Sequence, residues 1–383
     1  MKKIIGVFGV ILLIVAGCGG EKQAQAELAC IDLTKNYPEK EFFLTDMADI
    51  TFLYLNSDND EYLYQGSINY ITANTVVVVD NSSGSILFFN KDGIPRSRFN
   101  HVGNGPEDYL PRPNVMYDET TDELFVTSAG YHLIQVYSST GEHKRTITIP
   151  QHLRINGIIS LDDSSFFFNE LGAIGEEYIS FYRISKTTGA VIDSVQLPKT
   201  QTFLGINLDG NRIPTPTRRL VKCPDGALLS SHGTDTVFLY SSDKSLTPVL
   251  YQTPSVTSLS PMEFLDNCLN IGQYQFIKCI IVKQGDVYPG RFPAKFYIRE
   301  KKTGNIFRQK LLLPDYKGKE FIINPGTQVF NESIQGNGDY FELDLIELKK
   351  AYRENMLSGK LKELVATLNE DKDNNVFMLL NFK

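Results

Sequence analysis

The side chains in this sequence that can do chemistry near neutral pH are few and scattered. His101, His132 and His232, with Asp235, are donors of the kind that hold a divalent ion through imidazole nitrogen and carboxylate oxygen. None stands at the short spacing of a metal motif, so they can meet only where a fold gathers distant segments over one mouth. Ser231 and His232 are adjacent, and neighbours on a strand point to opposite faces. With no Gly-x-Ser-x-Gly elbow in the chain, they do not read as nucleophile and base. Glu107-Asp108 and Glu176-Glu177 read as solvated acids. No catalytic residue, metal set or cofactor is assigned, and a divalent metal in a central channel is kept as the condition of an enzymatic alternative.

Gly103-Asn104-Gly105-Pro106 can present backbone N–H groups to an anion, as glycine-rich nests do. It lacks the Lys and Ser or Thr of a phosphate loop and opens no helix, so it reads first as a turn. Tyr109, Tyr131, Tyr178 and Phe181 offer rings for a sugar or peptide, in a chain without tryptophan. The candidate ligand-binding residues are therefore His101, Asn104, Glu107, Tyr109, Arg112, Tyr131, His132, His232 and Asp235.

A fold must position them, and composition bounds which. The chain has 383 residues, 42% hydrophobic and 22% charged, enough to bury a core. Its formal charge of −7, with no basic cluster beyond Lys301-Lys302, argues against nucleic acid as a partner.

The N-terminus reads as an address. Lys2 and Lys3 precede an apolar run from Ile4 to Ala16, too short for the roughly 20 residues that span a bilayer. Val15-Ala16-Gly17-Cys18 then resembles the lipobox of bacterial lipoproteins, which implies cleavage after residue 17 and acylation of Cys18. Residues 18–41 are expected to hold the lipid anchor and a flexible tether, and 42–383 the folded domain. Cys30, Cys223, Cys268 and Cys279 can pair in three ways or remain buried thiols.

Gly93, Gly141 and Gly189 each close a strand with a turn, at equal intervals of 48 residues. Such a period in a strand-rich chain marks propeller blades, because one four-stranded sheet cannot bury both its faces alone. Within the first unit, Ile68 to Ile71, Val76 to Val79, Ile86 to Phe89 and Ile94 to Phe99 alternate with turn chemistry. Further units are expected at Val115 to Ile149, Ile155 to Val195, Arg218 to Tyr251 and Leu269 to Leu313. A sixth would start near Gln328, use Tyr340 to Leu345 and Val376 to Phe382, and borrow Ile50 to Leu55 as its outer strand. Helical spacing over 345–369, broken at Ser358-Gly359, predicts two short amphipathic helices packed on the propeller. The fold class is all-β, a six-bladed β-propeller closed by its terminal strands.

Leu44-Thr45-Asp46-Met47-Ala48-Asp49-Ile50, Phe89-Asn90-Lys91-Asp92-Gly93, Val102-Gly103-Asn104-Gly105-Pro106-Glu107-Asp108-Tyr109 and Asp373-Asn374-Asn375-Val376 resemble the six-bladed β-propeller lipoproteins of Bacteroidetes. That family is similar in architecture to NHL-type propellers and commonly has glycine where this chain has Glu107. The resemblance implies the fold and a cell-envelope setting at the outer membrane, facing either the periplasm or the surface. It implies no settled activity. In a meander blade, second-to-third-strand loops and inter-blade links emerge on one face, so that face is expected to carry the candidate residues. The expected function is non-enzymatic binding or scaffolding of a peptide, glycan or protein partner. The alternative is a metal-dependent lactonase, lyase or hydrolase in the central channel.

Overall fold

In the first unit Thr75–Val79 and Ile86–Asn90 are almost continuously apolar, while Pro95–Phe99 alternates. Middle strands covered on both faces need such runs, and an outer strand half in water does not. The computed structural model describes residues 28–57, 60–66, 68–170, 178–198, 204–206, 212–214, 220–231, 234–282, 292–325, 330–331 and 338–383. It forms six blades in a ring. Blade 1 runs from Ile68–Ile71 to Pro95–Phe99, blade 2 from Asn114–Asp118 to His143–Thr148, and blade 3 from Ile155–Asp162 to Val191–Pro198. Blade 4 runs from Leu220–Cys223 to Leu246–Thr253, and blade 5 from Met262–Ile271 to Ile306–Leu312.

Aromatic contacts join the first four blades: Phe88 to Tyr117 at 5.1 Å, Phe125 to Phe166 at 4.9 Å, and Phe167 stacked on Tyr240 at 4.6 Å between ring centroids. These buried rings do the work that no isolated blade can do. The repeat of 48 residues has a steric cause. Gly141 has φ of 88°, and a Cβ there would lie 2.5 Å from the Phe99 ring at the end of blade 1. Gly93 stands in the same way against the carbonyl of Tyr54 in blade 6. These two turns thus dock on the preceding blade where only glycine fits.

Blade 6 contains Gly338–Leu343, Val376–Phe382 and Ala48–Tyr54, the last pairing antiparallel with the C-terminal strand, Leu53 opposite Phe377. The expected closure by both termini is present. Asn374 locks it, donating from Nδ2 to the carbonyls of Leu55 at 2.8 Å and Tyr62 at 3.0 Å, while the Tyr54 hydroxyl donates to Asp373 at 2.7 Å.

Three boundaries differ from expectation. Ala29–Asp32 adds in parallel to the outer strand of blade 4, and Glu39–Phe43 to that of blade 5, so ordered structure starts ahead of Phe42. Ala29–Asp32 and the first three residues of Glu39–Phe43 lie within the stretch expected as tether; an edge strand supplies ladder partners that a tether would leave to water. The inner strand of blade 5 starts at Met262, ahead of the Leu269 at which that unit was expected to begin. Gln328, where the inner strand of blade 6 was expected to begin, lies outside the described residues; Phe330–Asn331 just beyond it pairs in parallel with Tyr70 and Ile71 of blade 1, and three strands of blade 6 are among the described residues.

The two helices occupy Leu345–Arg353 and Gly359–Thr367, broken where predicted. Asp344 caps the first by accepting from the Glu347 N–H at 2.9 Å. Leu345, Leu348, Ala351, Leu361 and Val365 join the core beneath blades 4 to 6, so the apolar stripe packs on the propeller. Among the described residues no helix is long and apolar enough to cross a membrane.

Candidate functional site

The link from blade 1 to blade 2 carries most of the expected mouth residues, and its polar groups are turned on itself. The Gly105 N–H donates to Asp108 Oδ2 at 2.6 Å, and a Cβ on Gly103 or Gly105 would strike that carboxylate. The glycine-rich nest therefore already holds an anion, and the anion is Asp108. Tyr109 is buried, donates to the Gly84 carbonyl at 3.0 Å and accepts from the His101 N–H at 3.2 Å; burial pushes its hydroxyl up to about 12. His101 stacks on Tyr137 with ring centroids 5.2 Å apart, and its Nε2 meets the Gly141 carbonyl at 2.9 Å.

Blade 2 clamps the rest of this link. Gln135 Nε2 donates to the Pro106 carbonyl at 3.0 Å, the Tyr137 hydroxyl donates to the Glu107 carbonyl, and His143 lies 3.5 Å from the Glu107 carboxylate. Asn104, Glu107 and Arg112 present exposed side chains, and Arg112 has φ of 59°. Tyr131 and His132 lie on the loop between the second and third strands of blade 2. Their carbonyls accept from Ile155 and Ile149, which ties that loop to the entry of blade 3. Of the other two rings, Tyr178 is exposed, whereas Phe181 is buried and stacked on Phe167.

Asp235 belongs to blade 4, where Oδ1 accepts from the Val256 N–H at 2.8 Å and so holds the link to blade 5. His232 lies outside the described residues. His101 is thus not drawn together with Asp235: His101 is held by blade 2 and Asp235 by the blade 4–5 link. Among the described residues no group of three or more His, Cys, Asp or Glu side chains is placed to hold a metal ion. Cys30, Cys223, Cys268 and Cys279 are free thiols, and burial pushes Cys223 up to about 11 and raises Cys268 and Cys279 as well.

Two features escaped sequence reading. On blade 5, buried Asp266 pairs with Lys278 at 2.9 Å and Glu263 with Lys295 at 2.7 Å. The signal is the run Met262 to Asn267, which carries both acids and lies ahead of the unit expected from Leu269. Each acid has a lysine from its own blade, an arrangement that neutralises buried charge.

The second is a cleft of about 300 Å³ where blade 5 passes to blade 6. Tyr316, Phe321 and Phe341 supply its rings, with Phe321 and Phe341 centroids 5.0 Å apart. Glu320, Glu342, Asp344 and Glu347 rim it, opposed by Lys319, which pairs with Glu347 at 2.9 Å. That pairing holds Lys319 above its usual range. Partial burial and the neighbouring Asp344 raise Glu342, although Asn375 donates to it at 2.8 Å. No local motif announces this site, because a link, a strand and a helix start each supply one wall. A volume of this size, mostly apolar with a few fixed polar groups, suits a side chain or short segment of a ligand.

Comparison with known proteins agrees with this architecture. A Bacteroides fragilis protein provisionally described as exported superposes with a TM-score of 0.63 at 13% identity, covering 93% of this chain and 99% of its own. A member of the DUF4221 family from Bacteroides vulgatus gives 0.45 at 11% identity over 88% and 97%, and a streptogramin B lyase 0.39 at 9% over 87% and 98%; neither of these two carries an argument about activity. No curated protein matches the chain in sequence. The model of a domain of unknown function matches from residue 30 to 381, which takes in the added edge strands, all six blades and the closing strand, and the chain accordingly belongs to the DUF4934 family.

Proposed function

We propose that this chain is a lipid-anchored envelope propeller, akin to the NHL-like lipoproteins of Bacteroidetes, that binds a partner without transforming it. Its ligand is a peptide or protein segment bearing a basic side chain, seated in the cleft between blades 5 and 6. The observation that carries this reading is the pairing of aromatic walls with an acidic rim in that cleft. A lysine or arginine stem would lie along Phe321 and Phe341 and present its charge to Glu342 and Asp344. Exposed Ile322, at 46%, lines the opening and offers apolar contact to neighbouring ligand residues. The link at His101 to Arg112 is engaged in holding blades 1 and 2 together, which favours the cleft as the ligand site.

The test is a thermal-shift screen of the mature chain against Lys- and Arg-containing peptides, glycans and divalent metals. A ligand bound only by the folded state raises the melting temperature. A shift with basic peptides that disappears in Phe341→Ala supports the proposal. A shift with a stoichiometric metal supports the lactonase, lyase or hydrolase alternative, and a shift with glycans alone overturns the basic-peptide assignment.

A further inference from the structure

The propeller's N-terminal strand leaves one edge of the ring in a defined direction. Ala29–Asp32 runs parallel to the outer strand of blade 4 in the register Ala29 to Leu250, Cys30 to Tyr251. Traced backward, the strand points along that edge toward Leu246, at the start of the outer strand. Leu28 is 38% exposed and Leu246 38%. Blade 3 continues the same edge. Its outer strand begins with Val191 and Ile192, both exposed, at 42% and 43%, although alternation on a strand would turn one of two neighbours inward. The two blades touch here: the Tyr240 hydroxyl donates to Asp193 at 2.7 Å, and Arg183 reaches the Ser242 carbonyl at 3.4 Å. Tyr240 is in turn paired with Leu246. Leu28, Val191, Ile192 and Leu246 therefore lie along one apolar edge at the place where the chain departs.

Cys18 stands only ten residues ahead of Leu28. Fully extended, that stretch spans about 35 Å, so an acylated Cys18 would keep this edge nearer the bilayer than the far side of the ring. The hairpin beside Leu246 offers one acid, Asp243, and one base, Lys244, hence no net charge to a headgroup layer. From the apolar edge, the direction of the strand and the length of the connection, we infer that the rim of blades 3 and 4 rests against the phospholipid surface. The ring stands on edge, and the blade 5–6 cleft stays open to solvent. This rests on the proposed anchoring through Cys18. Apolar side chains of this kind bury a few ångströms into the headgroup boundary and are held there by the anchor.

The chain has no tryptophan, so single-tryptophan variants report without background. Ile192→Trp and Leu246→Trp place the probe on the proposed contact. Ile94→Trp places it on an exposed site of blade 1, opposite blade 4 in the ring. Full-length lipidated protein is reconstituted in phosphatidylethanolamine and phosphatidylglycerol vesicles whose acyl chains carry bromine. The expected result is that Trp emission at positions 192 and 246 loses most of its intensity while that at 94 keeps it. Quenching at all three positions means that the ring lies flat, and quenching at none means that it is held off the surface; either overturns the inference. Intact mass and vesicle flotation, with Cys18→Ser as control, report the anchor separately. A chain that lacks acyl mass and does not float refutes the anchoring, whereas a floating chain without quenching at 192 and 246 refutes only the rim contact.

Discussion

The link between blades 1 and 2 and the junction between blades 5 and 6 do the same topological job with opposite results. The first is rich in residues that attract attention, with two glycines, a histidine, two acids and a tyrosine within nine positions of the chain. Nearly all of them are consumed internally: Asp108 fills the glycine nest, Tyr109 reaches Gly84, and His101 lies on Tyr137. The second is built from ordinary residues of a link, a strand and a helix, yet it forms a cleft lined by aromatic rings and several carboxylates. Chemically suggestive composition in a propeller link is thus compatible with a purely mechanical role, because every link must satisfy its own backbone while joining two twisted sheets.

The largest effect should come from cutting what both junctions depend on, the ring itself. Deleting residues 50–55 removes the outer strand of blade 6 and exposes the C-terminal strand, and a thermal melt should show loss of the cooperative transition. Asn374→Ala, which leaves the strand but strips two buried carbonyls of their donor, should cost about 2–4 kcal/mol in chemical denaturation. A full-strength melt from either variant would show that closure does not hold the two junctions together.

The glycine turns sharpen the contrast between blades that dock tightly and blades that do not. Gly141→Ala meets both a positive φ and the Phe99 ring, and should cost about 2–4 kcal/mol, whereas Gly304→Ala has open space at Cβ and should cost only about 1 kcal/mol for its φ. Equal losses in denaturant titrations would remove blade-to-blade docking as the reason for the repeat.

At the cleft, Phe341→Ala should weaken a basic-peptide ligand about tenfold or more by calorimetry. Binding should also depend on pH. A raised Glu342 takes up its proton above the ordinary glutamate range, so the attraction for a cationic ligand is complete well above that pH and is lost as pH falls through it. Glu342→Gln should flatten the acid limb. The smallest effect belongs to the other junction: Glu107→Ala removes an exposed carboxylate 3.5 Å from His143 and should change stability by less than about 0.5 kcal/mol and leave binding intact. Loss of binding in that variant would return the ligand site to the blade 1–2 link.

Much of the architecture was readable because propeller blades repeat locally. Each meander is short in sequence, its turns carry glycine, and its middle strands are apolar on both faces, so Gly93, Gly141 and Gly189 mark blades without any knowledge of the ring. The closing strand and the helix break at Ser358-Gly359 were equally local. The strands at Ala29–Asp32 and Glu39–Phe43 were not, since Glu39-Lys40-Glu41 reads as polar tether and becomes a strand only because the outer edge of blade 5 is there to pair with it. The start of the blade 5 inner strand was hidden for a related reason: Glu263 and Asp266 are tolerated in a buried strand only because Lys295 and Lys278 face them.

From sequence alone came the repeat, the all-β class, the closure of the ring by its two termini and the candidate acylation at Cys18. These rest on spacing, turn chemistry and apolar patterning, which act over a few residues and leave their mark there. The tertiary structure decided that the glycine nest is already filled by Asp108, that His101 and Asp235 serve different blades, and that the blade 5–6 cleft exists. Those outcomes depend on which groups meet across hundreds of residues of chain, and contact of that kind is a property of packing that no local pattern encodes.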